Sequence, residues 1–189
     1  MTFRFIASAF ILFGTIGFAG CKSAEVKQEV SAPVTAPKVA MEELNIIGIK
    51  TRTTNAQEMG GKGKILPLWQ EFYGKKMLAK IPGKTDSQVY GVYHDYESDM
   101  NGAYSLLVGV KVAPGTKAPK GMTLLKIPAQ DYVHIASPKG EMPGVVVDAW
   151  KRVWSATDFK RKYSYDFEIY GDKAKDPKSA EVELYISTL

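Results

Sequence analysis

The sequence predicts an α+β fold made of duplicated β-α-β-β modules with a ligand cleft between the two halves. Two segments carry apolar residues at i, i+3, i+4, i+7 and i+8, which is the pattern of an amphipathic helix. A strand-like run precedes each helical segment and two more follow it. A shift of 81 residues superimposes the two helical segments and lays Trp69 on Trp150. Such a repeat indicates a duplicated unit, and the junction of two packed units is a common ligand site.

Residues 1–20 are predicted to be a secretory signal peptide rather than part of the fold. Residues 5–19 are uncharged and apolar, but this stretch is shorter than the roughly 20 residues that span a bilayer. The segment Phe18-Ala19-Gly20-Cys21, which overlaps the end of this stretch, resembles the lipobox of bacterial lipoproteins, with Phe18 where an aliphatic residue is usual. The resemblance implies lipidation of Cys21 and a place in the cell envelope. The chain would be anchored to a membrane and exposed outside the cytoplasm, on the periplasmic side if the cell has two membranes. An ordinary cleaved signal and an uncleaved anchor are the alternatives.

Residues 21–40 are interpreted as the lipidated cysteine and a flexible tether. This stretch is small, polar and free of aromatic residues, and Pro33 and Pro37 disfavour a helix. Residues 41–189 then have the length of one compact domain.

Composition and charge narrow the classes of partner and cofactor. The formal charge of +5 could suit nucleic acid, but export removes the chain from it, so no nucleic-acid partner is predicted. The single cysteine excludes an intramolecular disulfide and a Cys-rich metal site. Two histidines 40 residues apart make a His-based metal site unfavourable, and neither a metal nor another cofactor is predicted. The oligomeric state is left open.

The first module begins with a β-rich run at residues 44–53. Its helix follows a Gly- and Lys-rich loop, and Pro67 is acceptable there only near the helix start. Strand-like runs at 89–96 and 104–112 complete the module. The apolar face of this first helix is formed by Ile65, Leu68, Trp69, Phe72 and Tyr73.

The second module repeats this order. Residues 122–136 are rich in strand formers, and Pro128 within them indicates an edge or a bulge. Two closing strands are predicted at 163–170 and 181–187. The apolar face of the second helix is formed by Val146, Ala149, Trp150, Val153 and Trp154.

Several segments between residues 44 and 189 carry a resemblance to a known family. They are VYGVY at 89–93, YSLLVGV at 104–110, IPAQDY at 127–132, the pair Trp150 and Trp154, and DFEIY at 166–170. Their order and spacing resemble the GyrI-like effector-binding domain, a small-molecule module of many AraC-type and MerR-type regulators that also occurs alone. Ser187 departs from the family pattern, which often has proline there.

The resemblance implies a cleft that binds hydrophobic, often cationic compounds. It also implies a glutamate of the penultimate strand that points into the cleft, and Glu168 occupies that position. Some stand-alone relatives resemble hydrolases of electrophilic small molecules that use the same pocket.

Strand alternation adds a local argument about Glu168. One face of the strand is predicted to pack under the helix, and it carries Tyr163, Tyr165, Phe167 and Ile169. The other face carries Ser164, Asp166, Glu168 and Tyr170. A glutamate on such a face is ordinarily solvated. Aromatic walls would raise its pKa and favour a lipophilic cation as its partner.

The candidate ligand-binding residues are Glu168, Tyr170, Tyr93, Tyr104 and Trp150. Tyr90 and Tyr185 are further wall candidates, although the odd spacing of Tyr90 and Tyr93 places those two on opposite faces. Trp69 and Trp154 are assigned to packing between helix and sheet.

Three functions stay open on the sequence alone. Capture of a hydrophobic small molecule, cationic or neutral, is favoured, because no complete catalytic constellation can be assembled. A hydrolase that uses Glu168 as general base is the second, and an envelope protein–protein interaction module is the third. Residues 60–64 (GGKGK) lack the spacing of a phosphate loop, and His94 and His134 are weak candidates for haem ligation.

Overall fold

Eight strands form one antiparallel sheet in a computed structural model that describes residues 37–189. The strands are β1 (Lys38–Met41), β2 (Leu44–Thr54), β3 (Val89–His94), β4 (Ala103–Lys111), β5 (Thr123–Ile127), β6 (Gln130–Ala136), β7 (Asp166–Tyr170) and β8 (Glu183–Ser187). The helices are α1 (Asn55–Met59), α2 (Ile65–Gly74), α3 (Met77–Lys80) and α4 (Gly144–Ser155). The strand order is β1-β6-β8-β7-β3-β4-β2-β5.

The strand order confirms the duplicated α+β architecture. One module is β2-α2-β3-β4 and the other is β6-α4-β7-β8, and each contributes three neighbouring strands. The modules join where β3 pairs with β7 in antiparallel register, with Gly91 opposite Glu168 and Val89 opposite Tyr170. The middle of β7 therefore lies at the junction of the two halves.

Helices α2 and α4 each pack an apolar face on the sheet, as their periodicity predicts, and both lie on the same side of it. α2 buries Leu68 and Phe72, and α4 buries Ala149 and Val153, all within one apolar cluster with the sheet. Pro67 lies in the first turn of α2, where a missing backbone N–H leaves no helical bond unmade.

The opposite face of the sheet is also buried, although none of the helices between residues 37 and 189 contributes to its cluster. Ile46 of β2 and Tyr132 of β6 belong to one apolar cluster with Phe167 of β7. Because β2 and β6 lie far apart in the strand order, the sheet must curl to bring them together. Both faces of the central strands are thus inside the protein.

Because the sheet is curled, the prediction of which face of β7 packs under the helices is wrong. The alternation along β7 is as expected, but Phe167 and Ile169 face the interior of the curl and not the helices. Glu168 lies on the helix side, where Trp150 of α4 contacts it. Apolar residues cover both faces, so hydrophobicity alone did not distinguish the face beneath the helices.

Two element boundaries also differ from the expectation. β1 includes residues 38–40, which were predicted to belong to the tether, and it pairs with β6 at the edge of the sheet. β7 begins at Asp166 and not at Tyr163, because Tyr163 has a positive φ of 54° that interrupts an extended strand.

The predicted signal peptide, Cys21 and most of the tether lie outside the described residues. Between residues 37 and 189, none of the helices combines the length and the apolar character needed to cross a membrane.

Candidate functional site

Glu168 is the centre of a buried cluster at the junction of the two modules. Its side chain is only 1% exposed, and three neutral donors surround the carboxylate. Tyr93 Oη and Trp150 Nε1 donate to Oε1 at 2.9 and 2.5 Å, and Tyr170 Oη donates to Oε2 at 2.7 Å. The donors come from β3, α4 and β7, so both halves of the molecule hold the carboxylate.

Gly91 provides the space that Glu168 needs. It pairs with Glu168 across the module junction. A Cβ atom at position 91 would lie 3.0 Å from Glu168 Oε2 and 3.4 Å from Trp69 Cζ2. The carboxylate and the Trp69 ring therefore share the space above this glycine.

Two aromatic pairs flank the carboxylate, and each pair contains one tryptophan from the helix of one module. Trp150 of α4 meets Tyr93 edge-on, with ring centres 4.8 Å apart and planes at 65°. Trp69 of α2 meets Tyr170 in nearly the same way, at 4.8 Å and 68°. The 81-residue repeat thus places its two tryptophans on either side of one carboxylate.

The electrostatics of the cluster are those of a buried anion with neutral partners. Burial raises the pKa of Glu168, and the hydrogen bonds from Trp150, Tyr170 and Tyr93 oppose that rise. Burial also holds the pKa of the Tyr93 and Tyr170 hydroxyls well above their usual value, so both remain protonated donors. Within residues 37–189, none of the ion pairs involves Glu168.

The structure brings four of the five candidate residues into direct contact and places the fifth beside them. Glu168, Tyr170, Tyr93 and Trp150 form the hydrogen-bonded cluster. The Tyr104 ring lies 5.6 Å from the Tyr93 ring, but its hydroxyl donates to Asn55 Oδ1.

The other wall candidates do not belong to this cluster. Tyr90 and Tyr185 pack with the apolar cluster on the opposite face, as the odd spacing of Tyr90 and Tyr93 predicts for Tyr90. Trp69 was assigned to packing between helix and sheet, and it does pack against that core, but it also contacts Tyr170 and so forms a wall of the cluster. The sequence indicated this role through the 81-residue repeat, in which Trp69 corresponds to Trp150.

A second polar cluster lies immediately beside the first, around Asp166. One carboxylate oxygen accepts from the Ser187 backbone N–H and hydroxyl, both at 2.7 Å. The other accepts from Tyr96 Oη at 2.8 Å and from Arg161 Nη2 at 2.6 Å. The Arg161 guanidinium carbon lies 5.7 Å from the centre of the Trp150 ring. Asp166 and Arg161 thus neutralise each other's charge, and Arg161 packs against the Trp150 side of the Glu168 cluster.

The alternative sites do not assemble. Glu58 Oε1 accepts the backbone N–H of Lys64, and its Oε2 accepts that of Ile65, so a carboxylate occupies the amides that a phosphate loop would offer. His94 and His134 lie on β3 and β6, which are not neighbours in the sheet. The described part of the chain holds no group of three His, Cys, Asp or Glu residues that could bind a metal ion.

The duplicated α+β architecture is that of the GyrI-like effector-binding domains. Residues 39–187 match the family model of the integron-associated effector binding proteins. The chain therefore belongs to that family.

Relatives of known structure or curated sequence agree with this assignment. The crystal structure of an integron cassette protein from the mobile metagenome of Vibrio cholerae is 32% identical, with a TM-score of 0.62 over 81% of this chain and 95% of that one. A Bacillus subtilis (strain 168) protein, the candidate transcriptional regulator YobU, is 29% identical over 142 residues, which are 74% of this chain and 89% of YobU. The structure of SAV2435 bound to tetraphenylphosphonium shares the fold at 17% identity, with a TM-score of 0.66 over 82% of this chain and 93% of SAV2435.

Proposed function

We propose that this domain binds a hydrophobic organic cation at Glu168, between Trp69, Tyr170, Tyr93 and Trp150. One observation carries the proposal: a carboxylate that is 1% exposed accepts hydrogen bonds from three neutral donors and pairs with no cation among the described residues. A buried charge without a counter-ion is costly in an apolar interior. A ligand that brings a diffuse positive charge would offset that cost.

The aromatic walls select the kind of cation. A cation over a tyrosine or tryptophan face gains roughly 0.5–2 kcal/mol, and apolar substituents on the ligand bury further surface against the same rings. A small, strongly hydrated cation would lose more hydration than these contacts return. The fold relative bound to tetraphenylphosphonium supports a ligand of this chemistry.

The test compares a lipophilic cation with a neutral compound of similar shape. Tetraphenylphosphonium and triphenylphosphine oxide are titrated into the full chain while fluorescence of its three tryptophans is followed. We expect saturable binding of the cation, weak binding of the neutral compound, and loss of cation binding by at least about tenfold in Glu168→Gln. Glu183→Gln, on the opposite face of the sheet, is the matched control. Equal binding of both compounds, or unchanged binding in Glu168→Gln, would refute the proposal.

Hydrolysis of an electrophilic compound is the second function that this carboxylate could support. A raised pKa suits a general base. However, Tyr93, Trp150 and Tyr170 already donate to a carboxylate that is 1% exposed, so a water would have to enter this buried cluster before Glu168 could activate it. Binding, which requires no activated water, is therefore the better-supported function, and turnover of a bound electrophilic ester, lost in Glu168→Gln, would reverse this order.

We also propose that the domain acts as a lipoprotein of the cell envelope, anchored through Cys21. The proposal rests on the uncharged segment 5–19 and the lipobox-like sequence that follows it. Membrane fractionation of cells that express the wild type and Cys21→Ala tests it. We expect the variant to leave the membrane fraction, and an unchanged distribution would contradict lipid anchoring.

A further inference from the structure

The two halves of the Glu168 cluster differ in how accessible they are. Trp150 is 7% exposed, its Nε1 is engaged with Glu168, and the Arg161 guanidinium lies over its ring at 5.7 Å. Trp69 and Tyr170 are only half-buried. Among the hydrogen bonds of residues 37–189, none uses Trp69 Nε1 as donor. The Trp150 half is closed by the protein itself, and the Trp69 half is the more exposed of the two.

A row of aromatic rings leads from the more exposed half to the surface. The Tyr170 hydroxyl contacts Glu168, and the Tyr170 ring meets Trp69 at 4.8 Å. Trp69 in turn stacks on Tyr73, one helical turn further along α2, at 6.0 Å with planes 18° apart. Tyr73 is 40% exposed. The row therefore begins at the buried carboxylate and ends on a ring that solvent reaches.

An apolar pocket adjoins the outer end of this row, between α2 and α3. It has a volume of about 350 Å³ and shares the Tyr73 ring with the row. That volume is at the lower end of the range for small-molecule sites. Its other lining residues are Phe72, Lys76, Leu78, Ala79 and Lys84.

The two lysines at the pocket determine which end of a ligand can occupy it. Lys84 Nζ donates to the carbonyl oxygens of Leu78 and Ile81 at 3.2 and 2.6 Å, so this ammonium stays fixed beside the pocket. Lys76 is exposed at the pocket. Both positive charges disfavour a cationic centre in the pocket but leave a hydrocarbon unaffected.

We propose that this pocket is an outer subsite for the hydrocarbon tail of an amphiphilic cation, whose head reaches Glu168 past Tyr73 and Trp69. The inference rests on the proposed function, since it takes Glu168 as the site of the positive charge. It adds the side from which the ligand enters, its orientation, and Trp69 and Tyr73 as residues that determine specificity. The preferred ligand is then elongated, with one cationic end and one apolar end.

The test uses alkyltrimethylammonium ions of increasing chain length, with tetraphenylphosphonium as a compact reference. Binding to the full chain is measured by calorimetry below the micelle concentration of each ion. Each methylene that enters the pocket should tighten binding roughly three- to fourfold. Ala79→Trp, which fills the pocket, should abolish this dependence on chain length while tetraphenylphosphonium affinity stays within about twofold. Leu78→Ser, which makes the wall polar, is a second variant that should weaken the dependence.

Val147→Trp is the matched control, because Val147 is an exposed apolar residue of the other helix. It should retain the wild-type dependence on chain length. Equal dependence in Ala79→Trp and Val147→Trp, with both variants folded as judged by thermal melting, overturns the outer subsite. If the wild type binds all the cations with no effect of chain length, the subsite is wrong and the proposed function stands. If the wild type binds none of them, both fail.

Discussion

At the scale of single residues, Glu168 imposes a cost on folding that depends on pH. Burial raises its pKa above the ordinary value of 4.5, so the carboxyl holds its proton more tightly in the folded chain than in the unfolded one. The folded state is therefore favoured most below the ordinary pKa. Stability contributed by this group falls as the pH rises from the ordinary to the folded pKa, and it is constant above the folded pKa.

Glu168→Gln removes this titration and should change the pH dependence of stability. We expect the variant to be more stable than the wild type near neutral pH, and the difference to shrink as the pH falls to about 4, where the wild-type carboxyl is protonated in both states. Urea midpoints across this pH range measure the effect. Glu183→Gln, half-exposed at the opposite face, controls for loss of a carboxylate. A difference that does not vary with pH would contradict the assigned cause.

Gly91 should be intolerant of even a methyl group. An alanine Cβ would lie 3.0 Å from Glu168 Oε2 and 3.4 Å from Trp69 Cζ2, so the carboxylate or the ring must move. We expect Gly91→Ala to lower the free energy of unfolding by about 1–3 kcal/mol and to weaken tetraphenylphosphonium binding by about tenfold. Gly74→Ala is the control, because a Cβ there meets no atom within 4 Å. Similar melting and binding of the two variants would show that this space is not needed.

At the scale of elements, the strands and helices could be predicted well because the spacing of apolar residues follows the buried face of each element. The apolar faces of α2 and α4 and the run of β2 agree with the structure within a few residues. The face of β7 beneath the helices could not be predicted. Phe167 and Glu168 are both fully buried, Phe167 in the apolar cluster inside the curl and Glu168 among its hydrogen-bond donors on the helix side, and both environments depend on residues far away in sequence.

The start of β7 depends on Asp166, whose role the sequence did not reveal. Its carboxylate joins Arg161, Tyr96 and Ser187, so it ties the segment before β7 to β8 and to the residues that follow β3. Removing one member of a buried charge pair leaves the other without a partner. We expect Asp166→Ala to cost about 3–5 kcal/mol of stability, measured by urea unfolding.

The Asp166 prediction has a control on another strand. Asp131 on β6 is exposed, and its replacement by alanine should change stability by less than about 0.5 kcal/mol. If Asp166→Ala were as mild as Asp131→Ala, the Arg161–Asp166 pair would not be what holds β7 in place.

At the scale of the whole molecule, the 81-residue repeat predicted both the duplicated fold and a site at its junction. It could not predict that the two halves of the site differ. Trp69 and Trp150 are equivalent in the repeat, yet Trp150 faces a carboxylate and an arginine while Trp69 stands over Gly91. The difference comes from residues on β7 and in the segment before it, since β3, the corresponding strand of the first module, carries Gly91 opposite Glu168. The more exposed side of the site is therefore a property of the assembled fold.

Strand β1 forms one edge of the sheet. β1 precedes the first module in sequence but pairs with β6 of the second, through the register Lys38 to Val133 and Met41 to Gln130. The backbone N–H of His134 also donates to the Pro37 carbonyl, and Lys38 Nζ donates to the Leu189 carbonyl. The N-terminal strand of the domain is thus hydrogen-bonded to the second module, which comes later in the sequence.

A chain that begins at Leu44 should therefore be less stable than one that begins at Pro37, although both contain the two complete modules. We expect a loss of about 1–3 kcal/mol in urea unfolding, from the hydrogen bonds of one short edge strand. We also expect more aggregation in light scattering, because β6 becomes an unpaired edge. The tetraphenylphosphonium affinity of the folded fraction should stay within about twofold. In the strand order, β6 and β8 separate β1 from β7, and β3 lies on the far side of β7. Equal stability of the two chains would mean that β1 is not part of the cooperative fold, and a large loss of binding would mean that the edge strand supports the site from a distance.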